Sequence, residues 1–157
     1  MSNCKNIKKT DKTKTSLLLF SEIFIPKKHI QIQGLKMRNT AKKSILIVDD
    51  EPDVRQSVRM ILEMNGYEVT EAIDGDDCLK KIKEKKPDLI LLDIMMPGTP
   101  VGEVVKQIKD IKIAFMSVVR ISDARKKGLT TQDNIVDFLQ KPFNVSDLIE
   151  RVKIHLE

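Results

Sequence analysis

Three aspartates at two places in the chain carry its clearest suggestion of chemistry. Asp49 and Asp50 close the apolar run Ile45-Leu46-Ile47-Val48, and Asp93 closes a second one, Leu89-Ile90-Leu91-Leu92. Continuously apolar runs suit central strands of a parallel sheet covered by helices on both faces. In such open sheets ligands gather outside the carboxyl ends of the strands, where the strand order reverses. Both acid-ended strands therefore deliver their carboxylates to one edge. If the order is 2-1-3-4-5, strands one and three are neighbours, and Asp49, Asp50 and Asp93 converge. Three carboxylates held together repel and raise one another's pKa, so a positive charge must sit among them. Mg2+ fits that need, because it takes carboxylate, water and phosphate oxygens, and Asp50 and Asp93 are the candidate side-chain ligands. The competing reading makes the strand-end acids helix N-caps.

The elements that must position these acids follow from periodicity. After Ser44 short β-branched runs alternate with amphipathic stretches, the pattern of repeated βα units around a parallel sheet. Pro52 suits the first turn of a helix carrying Val54, Val58, Ile61 and Leu62 on one stripe, and Asn65-Gly66 stops it. The pattern predicts a second strand over 67–70 and a second helix from about Asp74 with Cys78, Leu79 and Ile82 inward, closed by Pro87. A third helix is carried by Val104, Val105 and Ile108, a fourth strand spans 113–119 and a fifth 135–139. Asn144 or Ser146 caps a last helix bearing Leu148, Ile149 and Val152. The fourth helix is the weakest element, since residues 123–128 are polar enough to fray. The length suits one domain, with no room for an output domain after the last helix.

Charge divides unevenly. Residues 1–43 carry eleven Lys or Arg against Asp11 and Glu22, a net of +9, while residues 44–157 carry 17 basic and 21 acidic residues, a net of −4. The basic pI therefore belongs to the N-terminal segment, and the net acidic remainder is not expected to bind nucleic acid. Cys4 and Cys78 are far apart, without metal-ligand spacing, which fits a reducing cytoplasm. The apolar stretch over 17–25 contains Ser21 and Glu22 and is too short to span a bilayer. Residues 1–43 read as a disordered basic extension, or as a stretch upstream of a start at Met37. The alternative is a basic tail that binds DNA or an anionic surface.

Asp-Asp-Glu-Pro at 49–52, Leu-Leu-Asp-Ile-Met-Met-Pro-Gly at 91–98, a hydroxyl at Ser117 and Lys-Pro-Phe at 141–143 fall in order at the ends of strands one, three, four and five. With these motifs residues 44–157 resemble the response-regulator receiver family. The resemblance implies a doubly wound, flavodoxin-like (βα)5 fold of five parallel strands in the order 2-1-3-4-5. It implies a stand-alone, chemotaxis-regulator-like signalling protein, a phosphoacceptor and not a classical enzyme. Asp93 would accept a phosphoryl group from a sensor histidine kinase or phosphotransfer protein. Mg2+ would be held by Asp50, Asp93 and the backbone carbonyl of Met95, with Asp49 acting through water. Lys141 would pair with phosphoryl oxygens and Ser117 would hydrogen-bond to them. Pro142 would follow a cis peptide bond that directs the lysine inward. Phe138 falls at the switch aromatic, with a static core phenylalanine as the plainer reading. The downstream target would meet a face of helix four, strand five and helix five.

The chain departs from the family pattern at residues 98–102, where an Asp-Gly pair is usual, and at Val118, where a small residue is usual. The branched Val118 side chain is expected to restrict access to the phosphoryl group and slow its loss. A flavodoxin-like cofactor binder would need a phosphate loop after strand one, where Asp49, Asp50 and Glu51 would repel a phosphate. An aspartate-nucleophile phosphatase would carry Asp-x-Asp, whereas Asp93 is followed by Ile94 and Met95.

Overall fold

The protein's structure is a computed structural model that describes residues 41–157 apart from 127 and 130. Of the basic extension over 1–43, residues 1–40, with the apolar stretch and Cys4, lie outside the described residues. Elements alternate along the chain as β1 (Ser44–Val48), α1 (Pro52–Met64), β2 (Glu68–Ala72), α2 (Gly75–Glu84) and β3 (Leu89–Leu92). They continue as α3 (Val101–Gln107), β4 (Lys112–Ser117), α4 (Ile121–Lys126), β5 (Ile135–Gln140) and α5 (Val145–Leu156). All strand pairs are parallel, in the order β2-β1-β3-β4-β5.

The apolar runs form central strands because both of their faces are covered. Leu46, Val48, Ile90 and Leu92 point into one core with Cys78, Val104, Val105 and Ala124, from α2, α3 and α4. Ile45, Ile47, Leu89 and Leu91 point into the other with Val58, Leu62, Leu148 and Val152, from α1 and α5. The period-two alternation of a strand thus splits each run between two helical layers. Truncating a side chain such as the fully buried Phe115 to alanine is expected to cost about 3 to 5 kcal/mol.

Local chemistry sets the boundaries. Pro52 opens α1, and Asn65 ends it, followed by Gly66 at φ 90°. Glu51, not Asp49 or Asp50, is the N-cap residue of α1, and its side chain makes no capping bond. The strand-end acids are therefore not caps of this helix. Asp74 caps α2 by accepting from the Asp77 amide, and Asn144 caps α5 by accepting from the Asp147 amide, which decides between Asn144 and Ser146.

Several boundaries differ from the sequence reading. The strand predicted over 67–70 runs from Glu68 to Ala72: the Tyr67 amide still donates to the Leu62 carbonyl of α1, and pairing continues until Ala72 lies opposite Val48. The fourth strand ends at Ser117, because Val118 leaves the sheet and is exposed. Ile108 is buried but follows α3 in an extended conformation. Gly75 lies so close to Val104 that a β-carbon there would stand 2.5 Å from its Cγ2, which brings α2 and α3 together beneath the loop after Asp93.

Candidate functional site

Register places the acids side by side. Val48 pairs with Leu92, and the Asp93 amide donates to the Val48 carbonyl at 2.9 Å, so the residues that follow the two strands emerge together. Ser117 pairs with Gln140, and the Lys141 amide donates to the Ser117 carbonyl at 2.8 Å. Carboxylate oxygens of Asp49, Asp50 and Asp93 lie within 4.8 Å of one another.

Lys141 reaches into this group. Its Nζ lies 2.5 Å from Asp49 Oδ2 and 2.8 Å from Asp93 Oδ2. Asp49 is fully buried, Asp93 is 4% exposed and Ser117 is fully buried. Burial alone would pull the Lys141 ammonium below its ordinary pKa, but hydrogen bonds and charge from Asp49 and Asp93 reverse that and hold it above. Lys141 pairs with Asp49 and Asp93 but not with Asp50, so carboxylates outnumber the ammonium in this group.

The remaining oxygens are fixed by backbone. Asp49 Oδ1 accepts from the Glu51 amide at 3.0 Å, and Asp93 Oδ1 accepts from the Met95 amide at 2.9 Å. Asp50 is exposed, and its carboxylate makes no hydrogen bond or ion pair among the described residues. Hard oxygen donors, an exposed carboxylate and an excess of negative charge fit a hard divalent cation such as Mg2+. When bound, such an ion supplies charge neutralisation among the acids and on phosphate oxygens.

The residues singled out from sequence lie around this edge with different contacts. Ser117 Oγ accepts from the Val119 amide at 3.4 Å. The Lys141–Pro142 peptide is cis. Met95 exposes its side chain, and Val118 is 62% exposed. Phe138 is half-buried and packs edge-on against Phe115 with ring centres 6.3 Å apart. The loop after Asp93 turns at Gly98, whose φ of 88° belongs to the left-handed region, and Thr99 donates a 3.0 Å hydrogen bond to Asp76 on α2.

One contact was not legible in the sequence. Arg55 Nη1 donates to the backbone carbonyl of Asp49 at 2.6 Å. A side chain that recognises a carbonyl leaves no trace in residue type at the acceptor position. Its only signal was an arginine at the fourth position of a helix, beside the positive end of the helix dipole, where cations are disfavoured.

The family model for the response regulator receiver domain matches residues 45–153, an interval that holds every acid and base of the edge just described. The chain belongs to the response regulator receiver domain family. Among relatives of this receiver domain, the phosphate regulon transcriptional regulatory protein PhoB of Pseudomonas aeruginosa is 38% identical over 117 residues, covering 71% of this chain and 50% of that protein. The transcriptional regulatory protein ResD of Bacillus subtilis is 39% identical over 120 residues, covering 74% of this chain and 49% of that protein. The chain thus spans about half the length of these curated relatives. Among solved structures, the receiver domain resembles the response regulator TrrA of Thermotoga maritima in complex with Mg2+ and BeF, with TM-score 0.63 and 36% identity over 73% of this chain and 99% of that one. It likewise resembles the chemotaxis response regulator CheY4 of Vibrio cholerae, with TM-score 0.66 and 29% identity over 73% of this chain and 99% of that one. The flavodoxin-like strand order implied by the family resemblance is the order observed.

Proposed function

We propose that this receiver domain accepts a phosphoryl group on Asp93 from the phosphohistidine of a sensor kinase or phosphotransfer protein, with Mg2+ bound, and thereby switches the binding of a protein target. The observation that carries the reading is the shared grip of Lys141 on Asp49 and Asp93 within a group of three carboxylates. An Asp93 oxygen would attack phosphorus, forming an O–P bond as the N–P bond to the imidazole breaks and the imidazole leaves. Phosphoryl transfer asks mainly for positioning and charge neutralisation, and each residue fits a part. Asp50 and Asp93, with the Met95 carbonyl, would hold the ion, and Asp49 would act through water. Lys141 would turn from carboxylate to phosphoryl oxygens, and Ser117 would exchange its weak backbone contact for a hydrogen bond to the phosphoryl group. The exposed Val118 would flank the modified residue and limit the approach of water.

Closure of the Ser117 loop would bias a two-state equilibrium, with Phe138 moving against Phe115, and alter the face of α4, β5 and α5. The reading as a stand-alone regulator is favoured by the match to nearly all of CheY4 and opposed by the half-length match to PhoB and ResD. The test is transfer of phosphate from a phosphorylated histidine phosphotransfer protein to the full chain. Transfer that requires Mg2+, stops on chelation and leaves a hydroxylamine-labile phosphate on Asp93 is expected. A labelled residue other than Asp93, or no transfer with Mg2+ present, would contradict it.

A further inference from the structure

We infer that Arg55 is a positioning residue for the metal-binding turn, acting through the Asp49 backbone. The inference rests on the reading of the acidic edge as a Mg2+ site. Asp49 is the first residue beyond the end of β1: its amide still pairs with the Ala72 carbonyl at 3.2 Å, but its own carbonyl lies past the last ladder pair, Val48 with Ala72. That carbonyl is taken by the Arg55 guanidinium at 2.6 Å. Glu51 completes the turn, its amide donating to Asp49 Oδ1 and its carbonyl accepting from the Arg55 amide at 3.1 Å. Arg55 therefore holds both ends of the segment 49–51, one through its side chain and one through its backbone.

Asp50 lies between those two anchors. Its carboxylate has no protein partner among the described residues, so its direction is set by the peptide on either side of it. Lys141 fixes the Asp49 carboxylate but touches no part of Asp50. The guanidinium also brings a positive charge close to an acidic turn that is electrically unbalanced without a metal. An arginine in the first turns of a helix opposes the helix dipole, so the position is favoured by the contact to Asp49 and not by helix formation. Arg59, one turn later, is a natural control. It lies on the same helix but pairs with Glu63 and Glu71 on the exposed side.

Outer partners of metal ligands commonly contribute about tenfold or more to metal affinity. Titration calorimetry of the full chain with MgCl2 is expected to give a dissociation constant about tenfold weaker for Arg55→Met than for wild type. Arg55→Lys, which keeps the charge and a donor, should recover most of that loss, and Arg59→Met should match wild type. Phosphorylation by a small phosphodonor should slow in Arg55→Met at low Mg2+ and return to the wild-type rate at saturating Mg2+. A purely structural role would move the metal-free melting temperature in proportion and leave the saturated rate low. Unchanged affinity in Arg55→Met, an equal loss in Arg59→Met, or a defect that saturating Mg2+ does not repair would overturn the assignment. Wild-type protein that takes up no Mg2+ would overturn the reading of the site itself, and the assignment with it.

Discussion

Strand β5 carries two charged clusters, and their difference separates a site from a strut. At its end, Lys141 is held by two buried carboxylates with a third carboxylate close by. Within it, Asp137 is gripped by Arg151 at 2.7 Å and His155 at 3.0 Å, both from α5, and Arg151 also pairs with Asp147. Burial alone would raise the Asp137 pKa, but hydrogen bonds from His155 and the Phe138 amide and the charge of Arg151 take it below its ordinary value. In the second cluster each carboxylate has a partner within the protein, Asp137 in Arg151 and His155 and Asp147 in Arg151, so it ties α5 to the sheet. In the first, the exposed Asp50 carboxylate has no partner among the described residues, an arrangement that suits an added cation. A surplus of one sign in a buried cluster is the more informative observation.

The largest expected separation between the clusters comes from removing their cations. Lys141→Met leaves Asp49 and Asp93 buried without a cationic partner and should destabilise the metal-free protein by about 3 kcal/mol in urea denaturation. Arg151→Met, in a cluster that is 39% exposed at the arginine and retains His155, should cost about 1 kcal/mol or less. Equal losses would erase the distinction. Because the Lys141 pKa is raised in the folded state, its stabilisation is complete below its ordinary value of 10.5 and is lost as pH rises through the folded value.

The next effect concerns the surplus charge. Asp50→Asn should raise metal-free stability by roughly 0.5 to 1 kcal/mol by easing repulsion, while abolishing the rise in melting temperature that Mg2+ gives wild type. A variant that is less stable without metal, yet still stabilised by Mg2+, would show that Asp50 does not contribute to the surplus.

Much of this arrangement was legible in the chain. Two apolar runs ending in acids fixed β1, β3 and their shared edge, because a strand buried on both faces admits little but aliphatic residues. Strand ends were less legible: Glu71, Ala72 and Gln140 belong to strands through pairing with neighbours, which residue type does not encode. The grip of Lys141 on Asp49 and Asp93 depends on the register of β5 against β4, a long-range property. Arg55 escaped because its partner is a peptide carbonyl.

Smaller effects sharpen the contrast further. The folded-state pKa of Asp137 is lowered, so the stability it contributes is present above 3.8 and fades as pH falls through the lowered value. Asp137→Asn should therefore flatten the acid limb of a stability profile followed by circular dichroism, without altering Mg2+ affinity. Asp88, lowered by the hydrogen bond from the Ser44 amide, and Asp77, lowered by the hydrogen bond from Lys81, act in the same direction and contribute to the residual slope. Val118→Ala should shorten the lifetime of the phosphorylated form, and an equal or longer lifetime would remove Val118 from the account.

The most direct test is intact-mass analysis after incubation with Mg2+ and a small phosphodonor, run on wild type, Asp93→Asn and Asp137→Asn. The account expects one phosphate adduct on wild type and on Asp137→Asn, and none on Asp93→Asn. An adduct that survives in Asp93→Asn, or wild type that gains none, would contradict it.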